Sequence, residues 1–416
     1  QPITEKQVQE VILRSRHLYS AMTDCGAGGF SSAVGEMGKG LGATVRLEGA
    51  LLKYPGLAPW EIWLSEAQER MVLSVPPANL EELRAVCAGQ DVELVVLGEF
   101  TDSKRLELSM NGAAVGSLSL EFLHEGIPQR HLHADVPERI TVAAPLQRLE
   151  ARDVDLELDL LNLLAHPNIR SKEAVIRRFD FEVKGGTRVR PLVGAAGHGP
   201  SDAAVLMPNP GASVKGIAVS NGLCPQFSHQ PYAMAWAAID EAVRNAVAVG
   251  ADPDRVAILD NFCWGNPTIP DRLGGLLETS RGCYDAALIY GTPFVSGKDS
   301  LYNEYTDADG AKHAIPGTLL ISAVGIVPDA SKVVTMDFKR AGSLIYLLGE
   351  TRAELGASHY ALLHNLEGGL VPQPVANPLE RYRALHKAIS SGLVASCHDL
   401  SEGGLAVALS EMSLAG

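Results

Sequence analysis

Apolar residues three and four positions apart run through residues 4–18 and again through 378–389, and each run reads as one stripe of an amphipathic helix. Between them the pattern changes several times. Residues 1–140 predict a helix, a Gly-rich turn, a helix over 30–38, strands near 44–48, 70–74, 93–97 and 105–109, and a helix near 78–88. Residues 150–200 carry a leucine-rich segment from Leu156 to Leu164, then Ser171-Lys172-Glu173, and end on Gly199-Pro200. Beyond Ser201, strands are predicted at Ala203–Leu206, Gly216–Ser220, Val256–Asp260 and Thr318–Ile326, with helices at Ala233–Val249 and Asp271–Ala287. A last domain opens near Gly342 with a predicted strand at Ser343–Leu348. Helices and strands mixed in this way point to an α+β, α/β-type chain of mixed sheets covered by helices.

The chain also echoes itself. Thr23–Met37 aligns without a gap on His398–Met412, so that Asp24/Asp399, Gly28/Gly403, Gly29/Gly404, Ala33/Ala408, Glu36/Glu411 and Met37/Met412 coincide at an offset of 375 residues. Two turns rich in Asp and Gly can match by chance. The Glu-Met pair seven residues past the glycines argues for duplication. One period nearly fills the chain, so each copy is expected to be partial and the chain to be an internal piece of a longer protein.

At 416 residues, two to three domains are expected. Hydrophobic residues at 46% and charged residues at 20% are globular values, and a net charge of −14 disfavours a nucleic-acid partner. The six cysteines form no Cys-x-x-Cys pair and read as reduced, cytosolic thiols. The first residues lack signal-peptide character, and no apolar run reaches the ~18 residues of a membrane span. A soluble, cytoplasmic protein without membrane contact is expected.

Candidate chemistry gathers at a few places. Asp24 precedes Gly26, Gly28 and Gly29, which open backbone N–H groups to an anion at a helix start; metal plus phosphate is one reading, a helix cap the other. Glu66 and Gln68, flanking Ala67, would project to one face of an extended segment and hydrogen-bond a substrate, or simply line a solvated strand edge. Asp260 is expected where a buried strand opens into Asn261–Pro267, a position that suits a ligand or an Asx turn. Gly297-Lys298-Asp299-Ser300 packs a cation, a carboxylate and a hydroxyl together like a phosphate-binding loop, without the Walker A spacing; a β-turn with incidental charges is the alternative. Asp202 stands before an apolar strand, as a metal ligand or an ordinary strand start. Protease, zinc-hydrolase and dinucleotide motifs are absent from the sequence.

Taken in order, Thr23–Gly29, Leu64–Arg70, Ser201–Val205, Asp260 with Trp264–Pro267, Ser296–Glu304 and His398–Gly404 resemble the formylglycinamide ribonucleotide amidotransferase family, along the whole chain. That family belongs to the aminoimidazole ribonucleotide synthetase-like superfamily, whose repeat pairs an N-terminal half with a C-terminal α/β half. The resemblance implies a duplicated fold truncated at both ends: residues 1–140 as the C-terminal half of a first repeat, 141–200 as connector, 201–335 as the N-terminal half of a second repeat and 336–416 as its C-terminal half.

The activity implied is ATP-dependent amination of formylglycinamide ribonucleotide, with ammonia supplied by a glutaminase subunit or domain and with a small accessory subunit as a further partner. By position the resemblance makes Asp24 a magnesium ligand, Glu66, Ala67, Gln68 and Ser300 substrate contacts, and Asp260, Gly297 and Lys298 nucleotide contacts. The family's catalytic histidine would lie upstream of Gln1, so the chain alone is expected not to turn over. Two departures stand out. Lys298 replaces an asparagine metal ligand found in smaller members, which passes the metal role to Asp299, and Ala67 replaces a serine. Another enzyme of the superfamily, such as a selenophosphate synthetase or a hydrogenase-maturation protein, is the alternative, and so is a non-catalytic nucleotide-binding scaffold.

Overall fold

A computed structural model describes residues 2–52, 55–67, 69–140, 144–147, 154–178, 181–182 and 184–416. Two compact units divide it, Gln1–His131 and Leu132–Gly416.

In the first unit the elements are α1 (Pro2–Arg14), β1 (Ala21–Asp24), α2 (Phe30–Met37), β2 (Gly42–Arg46), α3 (Pro59–Leu64), β3 (Met71–Ser74), α4 (Leu80–Ala88), β4 (Gly98–Thr101), β5 (Arg105–Met110), β6 (Ala113–Ser119) and α5 (Leu120–Glu125). A four-stranded sheet runs β4-β2-β5-β6, with β2 and β5 parallel, and β1 pairs antiparallel with β3. The core buries Phe30, Val34, Val45, Leu47, Ile62, Trp63 and Leu106, while Val11 and Leu18 pack on Leu83 and Cys87. The expected strand at 93–97 is not formed; the strand starts at Gly98. The reason lies in the packing of the apolar run: Val92 and Leu94 turn to the cluster between α1 and α4, and only Leu97 reaches the sheet core. Three elements escaped the sequence reading, namely α3, β6 and α5.

The second unit begins with a connector that lies along it. The N–H of Asp135 donates to the carbonyl of Pro270 (2.9 Å), and a Cβ at Gly274 would sit 1.8 Å from the carbonyl oxygen of Asp135, so glycine is required there. Arg139 stacks 3.6 Å over the Tyr232 ring and pairs with the buried Glu278 at 2.6 Å. The elements that follow are α6 (Leu156–Ala165), α7 (Glu173–Ile176), β7 (Thr187–Val189), β8 (Leu192–Val193), β9 (Gly199–Pro200), β10 (Ala204–Leu206), β11 (Gly216–Leu223), α8 (Pro231–Ala248), β12 (Val256–Cys263), α9 (Pro270–Tyr290), β13 (Phe294–Ser300), β14 (Glu304–Thr306), β15 (Lys312–Ala314), β16 (Thr318–Val327), α10 (His359–Leu363), α11 (Pro378–Ser390) and α12 (Gly404–Ala415).

Six of these strands form a mixed sheet, β13-β12-β16-β11-β10-β7, in which only β12 and β13 run parallel. The alanines of α8 let its backbone come close: a Cβ at Gly222 of β11 would sit 2.0 Å from the carbonyl oxygen of Ala238. Met234, Ile239, Ile258 and Ile321 are fully buried between helices and sheet, each contributing about 1.5–3 kcal/mol by burial.

Three expectations fail in this unit. Asp260 does not end its strand, because β12 continues to Cys263 with both neighbours paired. Residues 294–300 are the edge strand β13 rather than a loop, since pairing with β12 satisfies one side of their backbone and outweighs the turn preference of Gly297, Lys298, Asp299 and Ser300. Ser343–Leu348 is no strand: no partner reaches it among the described residues, and Leu344, Ile345 and Tyr346 are 78%, 67% and 82% exposed.

Candidate functional site

In the first unit the Asp24 turn closes on the segment after α3. Strand β1 ends at Asp24, opposite Met71, and Gly28 and Gly29 follow with φ of 80° and 57° before α2 begins. Close approach dictates the glycines. A Cβ at Gly29 would lie 2.2 Å from the Ser65 carbonyl oxygen, and one at Gly26 would lie 2.7 Å from Oδ2 of Asp24. The N–H of Gly28 donates to Oε1 of Glu66 (3.2 Å), so Asp24 and Glu66 flank one turn. Arg70 fastens the far side: its guanidinium sits 4.3 Å from the Phe30 ring centre, donates to the Ser65 carbonyl and reaches that of Ala67 at 3.2 Å. Glu66 and Ala67 lie in a loop that precedes β3, which starts at Met71. Gln68 lies outside the described residues.

In the second unit the parallel register of β12 and β13 sets Asp260 beside Gly297, Phe262 beside Asp299 and Cys263 beside Ser300. A Cβ at Gly297 would fall 2.3 Å from Oδ1 of Asp260, so a side chain there would displace that carboxylate. Burial, with Asp299 adding like charge, raises the Asp260 carboxyl above the usual carboxylate range. Lys298 is exposed and folds along its own strand, donating to the Asp299 carbonyl at 3.0 Å and to Oγ of Ser300 at 3.2 Å. Lys298 and Ser300 thus share one face of the edge strand, with Asp299 on the other and Asp260 on the neighbouring strand.

The second copy of the turn has a different setting. Asp202 accepts from Nδ1 of His398 (2.9 Å) and from the N–H of Asp399 (2.8 Å), and Nε2 of His398 meets Glu411 at 2.9 Å. Burial would lower the His398 pKa, but the two carboxylates overcome it and hold the imidazole at about 10, so it is a cation donating from both nitrogens. Asp202, His398 and Asp399 bring ligand atoms within 4.8 Å of one another, in a cluster whose members already bond to one another. Asp399 is held by Arg244 at 3.1 Å, which also pairs with Asp240, the acceptor of the Tyr290 and Tyr382 hydroxyls. Next to it, burial lifts the Glu241 carboxyl to about 7 while Ser401 donates to it. A cavity of about 450 Å³ opens here, walled by Trp236, Glu241, Arg244, Arg352 and Ser401.

Sequence reasoning singled out Asp24, Asp202 and Asp260 but not Arg244, Asp240, Glu241 and Tyr382, which the structure gathers around Asp399. Their signal was available in part: four polar or charged side chains on an otherwise alanine-rich helix and its neighbour invite pairing, yet nothing in the spacing names the partners.

Comparison with known proteins places these observations. The chain matches the AIR synthase related protein C-terminal domain over residues 2–111 and again over 340–416, and the N-terminal domain of the same family over 200–327. It is 34% identical, over 99% of its length and 54% of the relative, to phosphoribosylformylglycinamidine synthase subunit PurL of Picrophilus torridus. For the same subunit of Methanocaldococcus jannaschii the values are 37%, 95% and 52%. The chain therefore spans about half the length of the curated relatives it matches. Among solved structures it is similar to Thermotoga maritima PurL complexed with ADP, at 25% identity and a TM-score of 0.62 over 81% of this chain and 52% of that one. PurL complexed with FGAR from the same organism matches at the same identity and TM-score, over 80% and 49%.

Proposed function

As the chain belongs to the AIR synthase related protein family, with a duplicated, mixed-sheet fold of its N- and C-terminal domains, we propose that it forms part of an ATP-dependent carbon–nitrogen ligase of purine biosynthesis, a phosphoribosylformylglycinamidine synthase. The observation that carries this reading is a similarity to PurL subunits that runs through 95–100% of the chain. The substrates are ATP, formylglycinamide ribonucleotide (FGAR) and ammonia from a glutaminase subunit or domain, with a small accessory subunit as a further partner. Among the described residues no helix is long and apolar enough to cross a membrane, and a cytoplasmic place is proposed.

In this reading residues 1–140 are the C-terminal half of one repeat, 141–200 a connector, and 201–335 with 336–416 the two halves of the next. The amide oxygen of FGAR attacks the terminal phosphorus of ATP and ADP departs; ammonia then adds to the activated carbon, and phosphate leaves as the amidine forms. Little covalent work falls to the protein, so positioning and charge dominate. Lys298 swings from Ser300 to a phosphate oxygen, Gly297 lets the nucleotide approach, and Asp260 orients it. In the first unit Glu66, Ala67 and Gln68 are the substrate contacts, Ala67 through its backbone, and in the second unit Ser300 is one.

Magnesium fits the donor set: Asp24 is exposed, its carboxylate lies over the space left by the missing Gly26 side chain, and hard oxygen ligands suit that ion. Asp24 in the first unit and Asp299 in the second would each serve as a ligand, and a bound ion supplies neutralisation of phosphate charge. The test is steady-state turnover of the full-length enzyme with ammonium chloride: FGAR-dependent ADP release and amidine product are expected. ADP release that ignores FGAR overturns the assignment.

A further inference from the structure

Beyond the edge strand carrying Lys298 and Ser300, the chain folds into the hairpin of β14 and β15, which begins with Glu304. Its side chain is only 11% exposed and accepts on Oε1 both the N–H of Asn266 (2.8 Å) and the guanidinium of Arg272, itself 25% exposed, in the first turn of α9. Asn266 belongs to the loop that leaves β12 after Cys263, and Arg272 to the helix which that loop enters. That loop is in turn bonded to the end of β13. The N–H of Trp264 donates to the Ser300 carbonyl at 2.8 Å, the N–H of Asn303 donates to the Trp264 carbonyl at 3.0 Å, and Nδ2 of Asn303 donates to the same Ser300 carbonyl at 2.8 Å. Trp264, 4% exposed, donates its indole N–H to the Arg272 carbonyl at 2.9 Å. Glycines let the layers meet: a Cβ at Gly317 would stand 2.5 Å from the indole, and one at Gly265 would stand 2.8 Å from Ala314 of the hairpin.

We infer that Glu304 is a positioning residue: it clamps the 264–269 loop between hairpin and helix and thereby fixes the backbone of Ser300, the substrate-side hydroxyl. The inference rests on the reading of Ser300 given above. A carboxylate suits the task, because a partly buried acceptor shared by a guanidinium and a backbone N–H forms charge-assisted bonds of defined direction. With Glu304 gone, the loop and the start of α9 each lose their bond to the hairpin, and Trp264 loosens against the Ser300 carbonyl. No other acidic side chain bonds Arg272 among the described residues.

The experiment measures kcat, KM and thermal midpoint for the full-length enzyme with ammonium chloride, comparing wild type, Glu304→Ala, Glu304→Gln, Ser300→Ala and the Ser300→Ala/Glu304→Ala double variant. Expected is a rise of about tenfold in KM for FGAR in Glu304→Ala, with KM for ATP changed by less than about twofold. Glu304→Gln, which keeps the acceptor, recovers most of the loss. On the Ser300→Ala background, Glu304→Ala adds less than about twofold, since it acts through that residue. A full tenfold effect on that background, or a lowered thermal midpoint with KM unchanged, overturns the inference. Should wild type show no FGAR-dependent turnover, the proposed function fails instead, and the clamp is read in this chain from Trp264 emission, against a Trp264→Phe reference. A red shift in Glu304→Ala supports the clamp, and identical emission overturns it.

Discussion

The two Asp-x-x-x-Gly-Gly turns share a backbone and differ in charge. Gly28 and Gly29 take φ of 80° and 57°; Gly403 and Gly404 take 80° and 59°. Each pair leads into a helix, yet Asp24 is exposed beside an open Gly26 and a neighbouring Glu66, whereas Asp399 is 8% exposed and bound to Arg244 and Asp202. Ser401 stands where the first copy has Gly26, and it donates to Glu241. The same turn therefore presents a free carboxylate in one copy and one already matched by protein cations in the other. A carboxylate left open can take up an ion or a substrate contact; a buried, matched one spends its charge holding its unit together.

The largest expected break in that comparison comes from Arg244→Met. It strands Asp240 and Asp399 in a buried site, and a loss of about 3–5 kcal/mol in unfolding free energy is expected from denaturant titration. Asp24→Asn, by contrast, should change stability by less than about 0.5 kcal/mol, as exposed substitutions do. An equal cost for both variants would erase the distinction drawn between the turns. In catalysis the order reverses, with Asp24→Asn lowering kcat/KM of the full-length enzyme by about a hundredfold, roughly 2.7 kcal/mol.

A smaller effect follows from pH. His398 is held at about 10 in the folded state, above the ~6.5 of an unfolded chain, so its contribution is complete below pH ~6.5 and lost as pH rises towards 10. Glu241, lifted to about 7, has the opposite chemistry: its neutral form is favoured by folding, and that share is lost between pH ~4.3 and 7. Above pH 8 the slope belongs to His398. Stability should fall by about 2 kcal/mol from pH 8 to pH 10, and His398→Gln should flatten that slope. A slope that survives the substitution assigns it to other groups.

How much of this could be read beforehand varies with the physics involved. The duplicated turn was legible because glycine at positive φ is a backbone demand written in the residue type. Helix α11 was legible because its apolar residues recur three and four apart, and α8 because its alanines favour a helix that Gly250 and Pro253 stop. The strand at Ser343–Leu348 was misread because apolar, β-prone residues state a preference, and a strand also needs a partner. Gly297–Ser300 was misread as a loop because Gly, Lys, Asp and Ser are turn formers locally, while pairing with β12 is a long-range fact. Arg244 and Glu304 carry no local signal for partners 155 and 32 residues away.

The last pair of variants tests what the two turns share. Alanine at Gly28 or at Gly403 must adopt a φ of 80°, which costs a residue with a Cβ about 1–2 kcal/mol. The added methyl would also meet a side chain four residues on in both copies: Oγ of Ser32 at 2.4 Å, which can rotate away, and Cγ2 and Cβ of Val407 at 2.2 and 2.9 Å, a buried β-branched side chain that rotation does not clear. Backbone strain is therefore common to the two variants and crowding is added in the second, so Gly28→Ala is expected to lose about 1–2 kcal/mol and Gly403→Ala about 1–3 kcal/mol more, as overpacking does. Thermal unfolding of the two variants side by side measures this. Equal losses would mean that the helix start shifts to relieve Val407, and that the backbone demand alone sets the cost in both copies.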